Sequence, residues 1–104
     1  MSTELTQRLV ARHPALLAMP EDSVVPQRGV ECGDGWHDLI DEARTAIEKH
    51  CASINTKPPG VLQIKEKLGL LRVYFRPYDD VIGSILHAAE RNSAMSCEQC
   101  GRPG

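Results

Sequence analysis

Residues 97–104 contain the residue types most capable of specific chemistry. Cys97 and Cys100 are separated by two residues and followed by Gly101, which is the C-x-x-C-G pattern of a zinc knuckle. A tetrahedral structural zinc site needs four ligands, and two thiolates supply half of them. The missing pair comes from elsewhere in the fold or from a second chain, or the two cysteines are thiols that bind no metal. A thioredoxin-like redox site is not favoured, because that motif begins a helix after a strand, whereas this pair follows a predicted helix.

The other cysteines and the histidines are the candidates to complete a metal site. Cys32 is preferred, because it lies in a glycine-rich turn with acidic neighbours. Cys51 falls on the apolar stripe of a predicted helix, where a cysteine normally acts as a small buried hydrophobe. The histidines considered are His37, His50 and His87. A solvated or core-edge imidazole is the simpler interpretation of each. If a metal binds, we therefore expect zinc, with Cys97, Cys100 and Cys32 as ligands.

A second candidate site is the outer face of a predicted β-hairpin at 61–76. Alternating apolar residues turn one face of the hairpin toward the core and leave polar residues on the other. The polar face carries Lys65, Lys67, Arg72, Tyr74 and Arg76. Such a surface could grip phosphates while Tyr74 stacks on a base. The alternative is a solvated sheet face whose lysines oppose aggregation, and the formal net charge of -2 favours this alternative.

Signatures of catalysis are weak. Gly33-Asp34-Gly35 has neither the G-x-G-x-x-G spacing nor the Lys-Ser/Thr pair of a phosphate-binding loop. Four carboxylates cluster near a predicted helix start: Asp34, Asp38, Asp41 and Glu42. Paired carboxylates can do acid–base chemistry, but at this position an interaction with the helix dipole is the simpler interpretation. One catalytic hypothesis remains, with Cys32 as a nucleophile, and it requires a reactive thiolate there. The chain is predicted not to be an enzyme.

These residues must be positioned by one small domain. The chain has 104 residues, of which 41% are hydrophobic and 25% charged, as in ordinary globular proteins. An amphipathic pattern begins near the N-terminus and is interrupted by Pro14. We predict one domain of 1–104 with a helical segment at 1–18, a long loop at 19–35, a core at 36–96 and the cysteine knuckle at 97–104.

Within the core, the predicted order is helix, hairpin, helix. Apolar residues at spacings of three and four predict a helix over 36–54, and a similar stripe predicts another over 79–93. Gly69 lies at the hairpin turn. The first strand is predicted to face inward with Leu62, Ile64 and Leu68. The fold class is α+β, with helices packed on a two-stranded antiparallel hairpin.

The sequence also indicates the cellular compartment of the protein. No apolar run approaches the ~20 residues of a spanning helix, and Met1-Ser2-Thr3-Glu4 lacks the features of a secretion signal. We therefore expect a cytoplasmic protein that does not bind membranes. Thiols stay reduced in the cytoplasm, so the cysteines are interpreted as core thiols or metal ligands rather than disulfides.

Three segments of the chain resemble one family. They are E-C-G-D-G-W at 31–36, Q-x-K-E-K-x-G-x-L-R-x-Y at 63–74 and C-x-x-C-G-x-P-G at 97–104. Together they are similar to a family of small uncharacterised proteins of bacteriophage and prophage genomes. Many members of that family continue into a second Cys-x-x-His pair that completes a zinc ribbon, and this sequence lacks it. The resemblance implies that Cys97 and Cys100 match the first ligand pair, and it implies no activity.

The sequence therefore predicts a phage or prophage accessory protein that binds rather than catalyses. The first hypothesis is a protein-interaction module that acts on a host or phage protein through the 19–35 loop and the knuckle. The alternative is a nucleic-acid-binding accessory protein that uses the basic hairpin face. The protein is expected to be a monomer or a homodimer, and salt-dependent retention on nucleic acid separates the two hypotheses.

Overall fold

The fold combines helices with a mixed sheet, as the α+β prediction requires. The computed structural model describes residues 1–13, 30–57, 60–76 and 80–103, without the side chains of residues 60–62, 75 and 76. The elements are α1 (Thr3–Arg12), β1 (Val30–Glu31), a 3-10 turn (Asp34–Trp36), α2 (His37–Ser53), β2 (Gly60–Lys67), β3 (Leu70–Arg76) and α3 (Asp80–Ala94). None of the helices in these ranges is long and apolar enough to cross a membrane.

Among the described residues, the sheet has three strands in the order β1-β2-β3, so the predicted two-stranded hairpin is wrong in its strand count. β2 and β3 pair antiparallel as expected, and β1 adds in parallel to β2 with Val30 opposite Ile64 and Glu31 opposite Lys65. β1 lies within the predicted 19–35 loop. The sequence did not reveal it, because a strand of two residues is too short to show an alternation of apolar and polar side chains. The rest of that loop before residue 30, and residues 14–18 of the predicted N-terminal segment, lie outside the described residues.

The core lies between the inner face of the sheet and the helices. Its main cluster unites α1, the sheet and both long helices through Leu9, Val30, Cys32, Trp36, Ile40, Ala43, Ile64, Leu71 and Ala89. A second cluster joins α2 to α3 through Ile47, Cys51 and Ile82. Val73, Ile85 and Leu86 pack against both clusters. The apolar stripe predicted for α2 is therefore confirmed, and burial of this continuous surface is the main stabilising force.

The hairpin turn differs from the prediction by one residue. Lys67 pairs with Leu70, so Leu68 and Gly69 form a two-residue turn between β2 and β3. Both have positive φ, 55° and 80°, as a type I′ turn requires. Leu68 is 86% exposed, so the expectation that it faces the core is wrong. Because β2 ends at Lys67, the alternation of side chains along the strand does not set the direction of the Leu68 side chain.

Each edge strand of the sheet makes hydrogen bonds with a residue outside the sheet. The N-terminal ammonium group of Met1 donates to the carbonyl oxygen of Val30 at 3.1 Å and also to that of Cys32. At the opposite edge, the backbone N–H of Leu71 donates to Oγ of Ser93 in α3 at 2.9 Å. These contacts satisfy backbone groups that an edge strand otherwise exposes, and they attach α1 and α3 to the sheet.

A buried histidine holds the end of α1 against α2. His13 is only 2% exposed, with Nε2 2.7 Å from Oδ1 of Asp41 and Nδ1 2.8 Å from Oε1 of Glu48. Each ring nitrogen is thus paired with a carboxylate of α2, so the buried imidazole has a polar partner on both sides. Arg12 adds an ion pair, with Nη1 3.2 Å from Oδ2 of Asp41. The start of the predicted N-terminal segment is thereby docked on the core.

Candidate functional site

Residues 97–103 of the cysteine knuckle (97–104) are docked on the glycine turn, Gly33–Gly35, through main-chain hydrogen bonds. The backbone N–H of Gly35 donates to the carbonyl oxygen of Glu98 at 2.6 Å. The N–H of Gly33 donates to Oε1 of the same glutamate at 3.3 Å. The described part of the knuckle is therefore an ordered part of the fold, placed beside the start of α2.

The knuckle is also closed on itself. The N–H of Gly101 donates to the carbonyl oxygen of Cys97 at 2.8 Å, and the N–H of Cys97 donates to the carbonyl oxygen of Arg102 at 2.7 Å. An isolated β-bridge pairs Ser96 with Pro103. These bonds fix the backbone on both sides of the two cysteines.

Two glycines make the docking sterically possible. A Cβ atom on Gly35 would lie 2.2 Å from the carbonyl oxygen of Cys97 and 2.5 Å from the nitrogen of Gly101. A Cβ atom on Gly33 would lie 2.4 Å from the carbonyl oxygen of Glu98. These neighbours are backbone atoms that cannot rotate away, so only glycine allows the two chain segments to approach this closely.

Trp36 anchors the same junction in the core. Its side chain is 1% exposed, and Nε1 donates to the carbonyl oxygen of Ser96 at 3.1 Å. A buried indole N–H normally finds such an acceptor. The bond joins the end of the 3-10 turn to the residue that precedes the first cysteine of the knuckle.

The two knuckle cysteines differ in environment. The backbone N–H of Cys100, the N–H of Gln99 and the thiol of Cys100 all donate to the sulfur of Cys97. These hydrogen bonds lower the pKa of the Cys97 thiol, because they stabilise its charged form. Cys97 is half-buried, whereas Cys100 is exposed. The pair therefore combines a half-buried cysteine whose thiol has a lowered pKa with an exposed cysteine.

Cys32 has the opposite environment. Its side chain is 7% exposed, and burial raises its pKa to about 11. The N-terminal ammonium group opposes this effect, while the negative charges of Glu98 and Asp34 add to it. The thiol is therefore protonated at neutral pH, which is unfavourable for the nucleophile hypothesis.

The predicted zinc site depends on where the candidate ligands lie relative to Cys97 and Cys100. All cysteines and histidines lie in the described ranges. Across those ranges, no group of three or more His, Cys, Asp or Glu side chains is placed to hold a metal ion. Zinc binding by Cys32, Cys97 and Cys100 therefore stays a prediction. Of the other candidates, Cys51 is buried between α2 and α3, His50 lies in the last turn of α2, His87 is exposed on α3, and His37 lines a pocket together with Cys100.

An open pocket of about 360 Å³ lies beside the knuckle. It is lined by Leu5, Arg8, Asp34, Gly35, His37, Asp38, Leu39, Ser96, Cys100 and Gly101. Nδ1 of His37 is 3.0 Å from Oδ1 of Asp38, and Nε2 is buried without a hydrogen-bond partner among the described residues. The pocket is thus lined by apolar side chains, two carboxylates and the His37 ring, contributed by three separate segments of the chain.

The hairpin brings the described members of the basic set together. Lys65 lies directly opposite Arg72, and direct cross-strand partners share a face of the sheet. Nζ of Lys65 lies 5.7 Å from the ring centroid of Tyr74. The side chain of Arg76 lies outside the described residues.

Acidic groups compensate part of this basic face. Nη1 of Arg72 is 2.8 Å from Oε1 of Glu90 in α3, and Glu31 of β1 is the register partner of Lys65. Lys67 is exposed at the end of β2. The face is therefore less positive than a count of its cations suggests.

Sequence reasoning missed the role of the glycine turn and of His13. The two glycines around Asp34 were an available signal, because glycine is the residue that permits close backbone approach. His13 offered no signal, since its carboxylate partners are in another helix. Comparison of the chain with protein-family models, with curated proteins and with solved structures found no match. The site is therefore interpreted from its own geometry.

Proposed function

We propose that the protein is a protein-interaction module whose contact surface is the cysteine knuckle together with the pocket beside it. The observation that carries this proposal is the main-chain docking of the knuckle on the glycine turn, with an open pocket of about 360 Å³ at their junction. A surface whose backbone is ordered before binding loses less conformational entropy when a partner arrives. The proposed role is binding without catalysis.

The charges around the pocket favour a basic side chain as the occupant. Asp38 is 91% exposed and Asp34 is also exposed, so both present carboxylate groups to solvent. Arg8, the cation at the rim, is already 3.1 Å from Glu4. A lysine or arginine of the partner would complement the two aspartates, and the apolar contacts of Leu5 and Leu39 would suit its aliphatic stem. The resemblance to phage proteins supports a host or phage protein as that partner.

A peptide array tests this proposal, because random peptides sample many partner segments at once. The purified chain is applied to the array, and we expect the bound peptides to be enriched in lysine and arginine. Asp38→Lys should weaken their binding at least tenfold. Lys67→Glu is the matched control, because it also reverses an exposed charge but lies at the end of β2. Bound peptides without basic residues, or equal binding by the Asp38→Lys variant, would count against the pocket as the contact surface.

The alternative is a nucleic-acid-binding role for the outer sheet face. Lys65, Lys67 and Tyr74 support it as a small basic and aromatic group. The ion pair between Arg72 and Glu90 and the net charge of -2 weaken it. Fluorescence anisotropy with labelled single-stranded DNA and RNA separates the two roles. Affinity that falls steeply with salt and is lost in Lys67→Glu would favour the alternative, whereas no binding at low salt would favour the interaction module.

A further inference from the structure

We propose that a second copy of this chain occupies the pocket beside the knuckle, with the hairpin turn of one copy inserted into the pocket of the other. The inserted residues are Lys67 and Leu68. This inference rests on the proposed function, because it names an occupant of the same pocket. It describes a dimer with two equivalent contacts.

The first support is the conformation of the hairpin turn. Leu68 is 86% exposed, and its φ of 55° belongs to the left-handed region that glycine and asparagine occupy more readily. Folding gains little from this leucine, because it buries little apolar surface and strains the backbone. The combination of strain and exposure points to a role in binding rather than in stability.

The second support is the chemical match between the turn and the pocket. Lys67 is exposed at the end of β2. The pocket presents the exposed carboxylates of Asp34 and Asp38 and the apolar side chains of Leu5 and Leu39. A lysine followed by a leucine therefore meets carboxylates for its ammonium group and apolar surface for the neighbouring side chain.

The other charged residues near the turn have partners in their own chain. The carboxylate of Glu66 accepts a hydrogen bond from the N–H of Gly69 at 3.1 Å, so it faces the backbone of the turn. Nζ of Lys65 lies 5.7 Å from the ring centroid of Tyr74 on the outer sheet face. Lys67 is therefore the cation that the turn offers to another molecule.

The third support is that the turn and the pocket lie at the same end of the molecule. β1 runs parallel to β2, so the glycine turn that follows β1 and the hairpin turn that follows β2 leave the sheet in the same direction. At the other edge, the bond from Leu71 to Ser93 places the end of α3 beside the start of β3, and the knuckle follows α3. A two-fold axis at this end therefore brings each turn to the pocket of the other copy, and both contacts form at once.

The size of the contacts predicts a dimer in exchange with the monomer. The pocket has a volume of about 360 Å³, near the lower limit of ligand pockets, which hold roughly 300–1,000 Å³. Weak and transient complexes bury less than about 1,200 Å² in total. We therefore expect the dimer fraction to rise with protein concentration.

Sedimentation velocity of the purified full chain over a series of concentrations tests the dimer. A chelator is present, so that a zinc ion shared between two knuckles does not contribute. Asp38→Lys and Lys67→Glu should each raise the dissociation constant at least tenfold, because each places like charges in both contacts. Lys49→Glu is the matched control, since it reverses another exposed lysine near the opposite end of α2 from the pocket. Dimerisation that is equal in all these variants would overturn the proposal.

A mixture of the two charge-reversed variants identifies the contact directly. In a dimer of Asp38→Lys with Lys67→Glu, one contact keeps the native pair of charges and the other carries both reversed charges. Both contacts then attract, so the mixture should dimerise with an affinity close to the native one. A mixture that stays monomeric at concentrations where the native chain dimerises would contradict the insertion of the turn into the pocket.

Leu68→Asn tests the apolar half of the contact. Asparagine tolerates the positive φ, so a weaker dimer in this variant is not a consequence of unfolding. We expect its dissociation constant to rise several-fold, because the apolar side chain is lost. An unchanged dissociation constant would show that the turn is not buried in the dimer.

The peptide array separates failure of this inference from failure of the proposed function. A chain that stays monomeric up to millimolar concentration, yet binds basic peptides in a manner that depends on Asp38, would overturn the dimer and leave the proposed function intact. A monomeric chain that binds no basic peptide would overturn both. A dimer that forms only when zinc is added, and is unchanged in Asp38→Lys, would also overturn this inference and would indicate a four-thiolate site shared by two copies.

Discussion

The backbone N–H of Gly35 donates to the carbonyl oxygen of Glu98 at 2.6 Å, and this bond ties the start of α2 to the segment that follows α3. The neighbouring Trp36 repeats the connection through Nε1 and the carbonyl oxygen of Ser96. The cysteine pair is therefore held by the same junction that anchors the buried tryptophan. Its geometry and its exposure are consequences of the fold rather than of the C-x-x-C sequence alone.

Replacement of Gly35 by alanine should detach this junction. The new Cβ would lie 2.2 Å from the carbonyl oxygen of Cys97, so one of the two backbones must move. We expect the free energy of unfolding to fall by about 1–3 kcal/mol, as in other overpacked sites. Fluorescence of Trp36, which is the single tryptophan, should shift to longer wavelength as its surroundings loosen.

Gly69→Ala is the matched control for that experiment. Its Cβ would meet nothing within 4 Å, but its φ of 80° is unfavourable for alanine. It should lower stability by about 1 kcal/mol without a shift in tryptophan emission. An emission spectrum of Gly35→Ala that matches the native one would argue against close docking of the knuckle.

The buried histidine offers a second test. His13→Ala removes hydrogen bonds to two carboxylates at 2.7 and 2.8 Å and leaves Asp41 and Glu48 without that partner. We expect a loss of about 2–3 kcal/mol in urea unfolding. Glu4→Ala, which breaks the exposed pair between Glu4 and Arg8, should change stability by about 0.5 kcal/mol or less. Similar urea midpoints for the two variants would show that His13 does not hold α1 on α2.

The hairpin turn predicts a stabilising substitution. Leu68 has a φ of 55° and is 86% exposed, so it carries backbone strain without burying much apolar surface. Leu68→Asn should raise the free energy of unfolding by about 0.5–1 kcal/mol, because asparagine tolerates this conformation. Leu68→Val is the control and should destabilise, since a β-branched residue opposes positive φ. Thermal unfolding of both variants measures the difference, and a more stable valine variant would contradict the I′ assignment.

Cys32 should make stability depend on pH in the alkaline range. Its pKa is about 11 in the folded protein against an ordinary 9.0, so the folded state holds the proton after the unfolded state has released it. This stability is fully present below about pH 9 and is lost as pH rises toward about 11, with a total of about 2–3 kcal/mol. Chemical unfolding of the native chain and of Cys32→Ala across this range isolates the effect. A constant difference between the two would contradict the raised pKa.

Much of the fold was predictable because its signals are local. The apolar stripe that predicts a helix over 36–54 matches α2 (His37–Ser53), and the stripe over 79–93 matches α3 (Asp80–Ala94). The turn glycine Gly69 and the alternation of β2 and β3 likewise act between neighbours in the chain. The direction of the Leu68 side chain was predicted wrongly, because the alternation of apolar and polar residues does not show at which residue a strand ends.

The sequence by itself determined the α+β class, the two long helices, the hairpin and the presence of a cysteine pair in a turn. Only the tertiary structure decided that β1 joins the sheet, that His13 lies between two carboxylates and that the glycine turn receives the knuckle. It also decided that Cys32 is buried in the main core cluster. The physical reason is the range of the interactions. Periodic burial and turn conformation depend on neighbouring residues, whereas these contacts join segments that are distant in the chain and gain their energy only when the whole core has assembled.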